Sequence, residues 1–212
     1  MAVIRLSETL TFWTAPHPAW TPNPEWPEDV GFVVWEAPDT LVLIDPLVRA
    51  DGGTDAWDSL DRVVSGKNAP VVVLLTCPWH VRSTRAVAER YGARVWIHPL
   101  GRDRVAGLPE LDSLPHGVET FLPRGVDEGQ VAFTILPGKT LVVAEFFLGT
   151  NDGLRVAPSP ATRNMAEFIA SLDELRHRPI DRVLVAHGLP VLADGSRAIS
   201  AALDAFRAGH SF

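Results

Sequence analysis

Along the first third of the chain, apolar positions come in short alternating or continuous runs, and these predict strands before anything else. Ile4–Leu6 and Leu10–Trp13 are short β-type pieces. GFVVWE (31–36) and TLVLID (40–45) flank Ala37-Pro38-Asp39, which predicts a hairpin. The second run ends at Asp45-Pro46, where proline removes the ladder donor. The loop from Thr14 to Gly31 carries five prolines with Trp20 and Trp26. Bulky aromatics are rare in disordered linkers, so the composition predicts an ordered loop packed on the body.

The period then changes. Ala56, Trp57, Leu60, Val63 and Val64 fall on one face of a helix between Thr54 and Gly66. The run 70–77 (PVVVLLTC) is almost continuously apolar, as expected of a strand buried on both faces. A helix from Ser83 to Tyr91 stops at Gly92, and Arg94–His98 is a further short strand, so 70–98 predicts a βαβ unit. Val118–Leu122 is a strand, and VAFTI (131–135) and TLVVAEFF (140–147) flank a turn at Leu136–Lys139. Ser159-Pro160 predicts a helix start. Its apolar stripe is Met165, Phe168, Ile169, Leu172 and Leu175. Arg182–His187 is a buried strand, and Asp194-Gly195-Ser196 opens a last helix with Ile199, Ala202, Leu203 and Phe206 facing inward.

Each half therefore reads as strands followed by helix, strand, helix. A four-layer α/β/β/α sandwich, formed by residues 1–212 as one domain, satisfies that order. A single doubly wound sheet is the alternative, but it accounts for the hairpins less well.

Composition narrows the function classes. The chain has 212 residues, 46% of them hydrophobic, and a formal net charge of −7. The acidic balance gives no general attraction to nucleic acid. The single cysteine, Cys77, excludes an internal disulfide and any cysteine-rich zinc module. The N-terminal residues lack the pattern of a signal peptide, and no apolar run reaches the length of a membrane span. The expectation is a soluble cytoplasmic protein.

Four stretches resemble landmarks of the metallo-β-lactamase fold superfamily. LVLIDPL (41–47) is similar to the family's early strand ending in aspartate, and LLTCPWHVRSTRAVAERYGARVWIHP (74–99) to its metal-binding loop, helix and strand. TLVVAEFFLG (140–149) resembles the strand that delivers the bridging aspartate, and VLVAHGLPV (183–191) the late strand ending in a His-Gly ligand. The resemblance implies the four-layer fold, but its strongest motif, Thr-His-x-His-x-Asp-His, is degenerate. Laid on Thr76, the ligand positions carry Cys77, Trp79, Val81 and Arg82. Glu145 stands at the bridging aspartate, Lys139 stands where a mid-chain histidine is expected, and only His187 is retained in kind. Zinc needs imidazole, thiolate or carboxylate donors, and a guanidinium about 4 Å from a divalent ion costs several kcal/mol. The family's dinuclear site is therefore not expected.

Two functions compete. One is a metal-free relic of a hydrolase that binds a small molecule or a partner. Its cleft residues are His17, Trp20, Asp45, Trp79, His80 and Arg82. The other is a hydrolase with a rebuilt centre, with His187, Glu145 and Cys77 as candidate catalytic residues. There a single zinc or iron would sit on His80, Glu145 and His187, or a thiol on Cys77 would act with a histidine. No cofactor, nucleic acid or membrane partner is expected, and a homodimer is left open. Each residue also has a structural reading. His187 caps a strand end, Glu145 pairs an arginine, Cys77 is a small buried apolar group, and Asp45 fixes the loop after its strand. Trp20 and Trp26 pack over the body, while His98 and His116 are ordinary turn histidines.

Overall fold

The computed structural model describes residues 2–22, 26–48, 55–126, 129–158 and 162–209. They form two compact units, Met1–Trp20 with Asp29–His116 and Thr21–Glu28 with Gly117–Phe212.

The first unit is built on a six-stranded sheet whose strands lie in chain order. They are β1 (Ala2–Arg5), β2 (Leu10–Pro16), β3 (Asp29–Glu36), β4 (Leu41–Ile44), β5 (Val71–Leu74) and β6 (Arg94–Trp96). β1 to β4 pair antiparallel, including the expected β3–β4 hairpin, whereas β4, β5 and β6 are parallel. Parallel neighbours need crossovers. These are α1 (Asp55–Lys67) between β4 and β5, and α2 (Thr84–Tyr91) between β5 and β6. α2 ends because Gly92 adopts a left-handed conformation at φ 65°, which costs glycine little. Leu60 of α1 and Val87 of α2 are fully buried with Phe32, Leu43, Val73 and Val95 in one core. On the surface, Asp61 accepts from Arg90 at 2.6 and 2.8 Å and from the Tyr91 hydroxyl at 2.8 Å, fastening α1 to α2. A 3₁₀ segment, Pro99–Val105, follows β6. Its first turn is capped by His98, whose Nδ1 accepts from Leu100 N.

The second unit carries a four-stranded sheet of β7 (Val118–Phe121), β8 (Ala132–Ile135), β9 (Thr140–Val143) and β12 (Arg182–Val185). Their order is β12-β9-β8-β7, with β12 parallel to β9. β10 (Phe147–Thr150) and β11 (Gly153–Val156) form a separate antiparallel ribbon. This corrects the single strand expected over 140–147. Consecutive strand residues point to opposite faces. Phe146 and Phe147 are nonetheless both buried in the same core, so the backbone turns at 144–146 and leaves the sheet. Glu145 sits on that turn.

The helix start expected at Ser159-Pro160 lies outside the described residues. The helix observed, α3 (Met165–Leu172), is capped by Asn164, whose side chain accepts from Glu167 N at 3.2 Å. Phe168, Ile169, Leu172 and Leu175 are buried as the stripe predicts, while Met165 in the first turn is 38% exposed. α4 (Gly195–Arg207) buries Ile199, Ala202 and Leu203 and packs Phe206 at the edge of the same core.

Candidate functional site

In the first unit, the candidates collect where β4 and β5 end. Asp45 leaves β4 in a left-handed conformation, φ 52°, with its N–H bonded to Leu74 O. Its carboxylate reaches the residues after β5. Oδ1 accepts from Thr76 N at 2.8 Å, and Oδ2 accepts from the Thr76 hydroxyl and from His80 Nδ1, the latter at 2.8 Å. Asp45 and His80 are each 3% exposed and Thr76 is fully buried. Asp45 thus fixes the loop after β5 rather than the one after its own strand. Thr76 is the partner that sequence reasoning missed; a hydroxyl residue closing a wholly apolar strand was its signal.

The facing carboxylate makes Nδ1 the protonated nitrogen of His80. Nε2 lies 3.5 Å from Arg82 Nη2. Arg82 Nη1 donates to Gly31 O at 3.0 Å and Asp45 O at 3.1 Å. The arginine holds φ 39°, a left-handed conformation that a side chain makes costly, about 1–2 kcal/mol. Such strain persists only where surrounding bonds fix it. The adjoining Ser83 exchanges hydrogen bonds with the Val48 backbone at 2.9 and 3.0 Å, tying the loop to the segment after β4.

Burial alone raises the pKa of Asp45, but His80, Arg82 and Thr76 outweigh it and hold the carboxyl below its ordinary value. For His80, burial and then Arg82 favour the neutral ring. Cys77 and Asp45 oppose them, and the pKa ends well above the ordinary histidine value. Asp45 and His80 thus form a buried hydrogen-bonded pair in which each favours the charged form of the other. Burial, followed by Arg82 and His80, lowers the pKa of nearby His17. Cys77 is fully buried, as the structural reading expects, whereas Trp79 is 39% exposed. Trp20 closes a turn by donating its N–H to His17 O.

In the second unit, His187 stands just beyond β12, and its carbonyl accepts from Gly149 N at 3.0 Å. Gly149 and Gly188 form a parallel bridge. A Cβ on Gly149 would lie 1.8 Å from Leu189 O, and one on Gly188 would lie 2.1 Å from Gly149 O, so only glycine permits this approach. Sequence reasoning missed this pair too, although Gly188 follows the one retained histidine. Glu145 Oε1 lies 3.9 Å from His187 Nε2, and the Trp26 ring meets the His187 ring edge-on at 5.0 Å.

No protein-family model matches the chain, and no curated protein is similar enough in sequence to be reported. Solved structures are. VMB-1, solved at pH 5.5, superposes with a TM-score of 0.70 at 14% identity, covering 99% of this chain and 98% of its own. A metallo-β-lactamase from Pontibacter korlensis gives 0.70 at 16% identity over 96% and 98%. One from Erythrobacter litoralis gives 0.68 at 15% identity over 95% and 94%. This is the metallo-β-lactamase fold. The α/β fold class expected from the order of elements is the one the chain adopts.

The metallo-β-lactamase name brings the expectation of zinc, and the residues on the motif positions decide whether they suit it. Cys77 is enclosed, Trp79 and Val81 offer no lone pair, and Arg82 is a permanent cation bonded into the loop. His80 gives Nδ1 to Asp45 and presents Nε2 beside a guanidinium. None of the side chains at 77, 79, 81 and 82 is an imidazole or a carboxylate. No described helix is long and apolar enough to cross a membrane.

Proposed function

We propose that this metallo-β-lactamase-fold protein works without the dinuclear zinc centre, as a small-molecule-binding protein on a hydrolase scaffold. Arg82 carries the reading. Its guanidinium stands in the motif loop, held by the carbonyls of Gly31 and Asp45 and 3.5 Å from His80. A fixed positive charge beside the one histidine of the loop disfavours a divalent ion there through direct repulsion. The buried Asp45–Thr76–His80 network gives the loop internal bonds that make a structural ion unnecessary for its shape. The acidic net charge argues against nucleic acid as the partner, and the single cysteine suits the cytoplasm.

The competing reading is a hydrolase rebuilt on one zinc or iron ion with His80, Glu145 and His187, or on the Cys77 thiol. The 3.9 Å approach of Glu145 to His187 within the second unit favours the metal form. Complete burial of Cys77 disfavours the thiol form, because a nucleophilic thiol must be reached by its substrate. Assays with a chromogenic β-lactam and with p-nitrophenyl acetate, each with and without added zinc, separate the readings. The metal-free reading expects no turnover above buffer. Zinc-dependent turnover that is lost in Glu145→Gln and His187→Ala would overturn it.

A further inference from the structure

We propose that the outer edge of the first unit's sheet carries a binding site for an apolar α-amino acid, with the side chain inside a cavity and the two charged groups on its mouth. The cavity lies between β6, the 3₁₀ segment Pro99–Val105 and the return over 106–111, and its volume is about 280 Å³. No residue of the motif loop lines it. The site therefore stands apart from the metal-free reading above and does not depend on it.

Three observations carry this assignment. First, the floor is apolar. Val95, Ile97, Val105 and Leu111 line it and are each at most 9% exposed, and Leu108 is half-buried against the same core as Val95. The volume exceeds the roughly 150 Å³ of an apolar cavity that admits benzene, and falls just short of the roughly 300–1,000 Å³ of drug-sized pockets. A short branched side chain is of that size. Second, the mouth carries both signs. Arg102, Asp103 and Glu110 line the same cavity, and Arg102 pairs with Glu110, joining the 3₁₀ segment to the return. The two side chains are 51% and 45% exposed. An ion pair so open to water contributes little, so a ligand's carboxylate can take the guanidinium fork while its ammonium takes the Glu110 and Asp103 carboxylates. A ligand of one sign would meet a like charge here, whereas a zwitterion answers both. Third, the walls are preformed. Val95 N donates to Pro109 O at 2.8 Å and Leu111 N to Val95 O at 2.9 Å, which sets Glu110 in a parallel bridge beside β6. Leu108 N donates to Val105 O at 3.0 Å, and Arg85 of α2 donates to the carbonyls of Ala106 at 3.3 Å and Arg104 at 3.4 Å. Walls held in this way lower the ordering cost of binding.

The test uses the full chain, with circular dichroism checking the fold of each variant. Isothermal titration compares L-leucine with 4-methylpentanoate, which lacks the ammonium, with 3-methylbutylamine, which lacks the carboxylate, and with glycine, which lacks the apolar body. L-leucine should saturate one site per chain, each fragment should bind at least tenfold more weakly, and glycine should not bind measurably. Arg102→Gln and Glu110→Gln should each weaken L-leucine at least tenfold, because each removes one of the two charges that the zwitterion meets. Both side chains are half-exposed, so these variants are expected to fold. In Arg102→Gln the preference for L-leucine over 3-methylbutylamine should disappear, and in Glu110→Gln the preference over 4-methylpentanoate. Loosening of the loop alone would weaken every ligand and leave those preferences intact. Absence of saturable L-leucine binding overturns the proposal. So does a fragment or glycine that binds as tightly as L-leucine, and so do preferences that survive in both folded variants.

Discussion

Replacing Asp45 by asparagine keeps the side chain's shape and removes its charge, which makes it a sharp probe of the buried network. The carboxylate accepts from Thr76 N, from the Thr76 hydroxyl and from His80 Nδ1. An asparagine can still accept from Thr76 N, but its amide then points N–H groups at two donors. Breaking a buried ion pair from one side costs about 3–5 kcal/mol, a large part of a typical total of about 5–15 kcal/mol. The loss should depend on pH in a defined direction. In the native protein the pKa of His80 is raised, so its contribution is fully present below the ordinary histidine value of 6.5 and declines as pH rises through the folded value. The lowered pKa of Asp45 contributes stability above its ordinary 3.8 that is lost as pH falls through the folded value. In Asp45→Asn, burial and Arg82 lower the His80 pKa against Cys77 without the carboxylate. That pKa should fall from its native value, so the variant loses the charged ring's contribution at lower pH than the native protein does. The gap between native and variant is therefore largest near pH 5–6 and narrows as pH rises above 6.5. Urea denaturation followed by circular dichroism at pH 5.5, 7 and 8.5 measures it. A gap below about 1 kcal/mol, or one that widens with rising pH, would refute the reasoning.

Further outcomes follow from other sites. Arg82→Ala should lose about 2–4 kcal/mol by urea denaturation, the scale of two hydrogen bonds from a charged donor, and Arg82→Gly should lose less because glycine relieves φ 39°. Gly149→Ala should lower the melting temperature sharply or abolish soluble protein, since its Cβ meets the Leu189 carbonyl; Gly66→Ala at the end of α1, where a Cβ meets nothing within 4 Å, should be neutral or gain up to about 1 kcal/mol. Asn164→Ala should cost about 1 kcal/mol through the lost cap of α3, measurable by thermal denaturation.

What the sequence made legible was local. Alternation and turn residues marked β3 and β4, Gly92 marked the end of α2, and the apolar stripes marked α1 and α4. The missed features depend on contacts between distant residues. The turn at Glu145 follows from Phe146 and Phe147 sharing one core, whereas a run of apolar residues reads equally well as one strand. The helix start read at Ser159-Pro160 lies outside the described residues, and the cap observed at the start of α3 is Asn164, whose side chain accepts from Glu167 N. The site divides the same way. His187 beside glycine and Asp45 before proline were visible as strand ends. That His80 is a buried partner rather than an exposed loop residue depends on a carboxylate 35 positions earlier in the chain, which no local pattern encodes.

The central claim, that the motif loop is held by side chains rather than by two metal ions, is tested most directly by elemental analysis of freshly purified protein combined with a melting curve before and after chelation. The account predicts less than one equivalent of zinc per chain and an unchanged melting temperature. Two stoichiometric metal ions, with a large loss of stability on chelation, would contradict it.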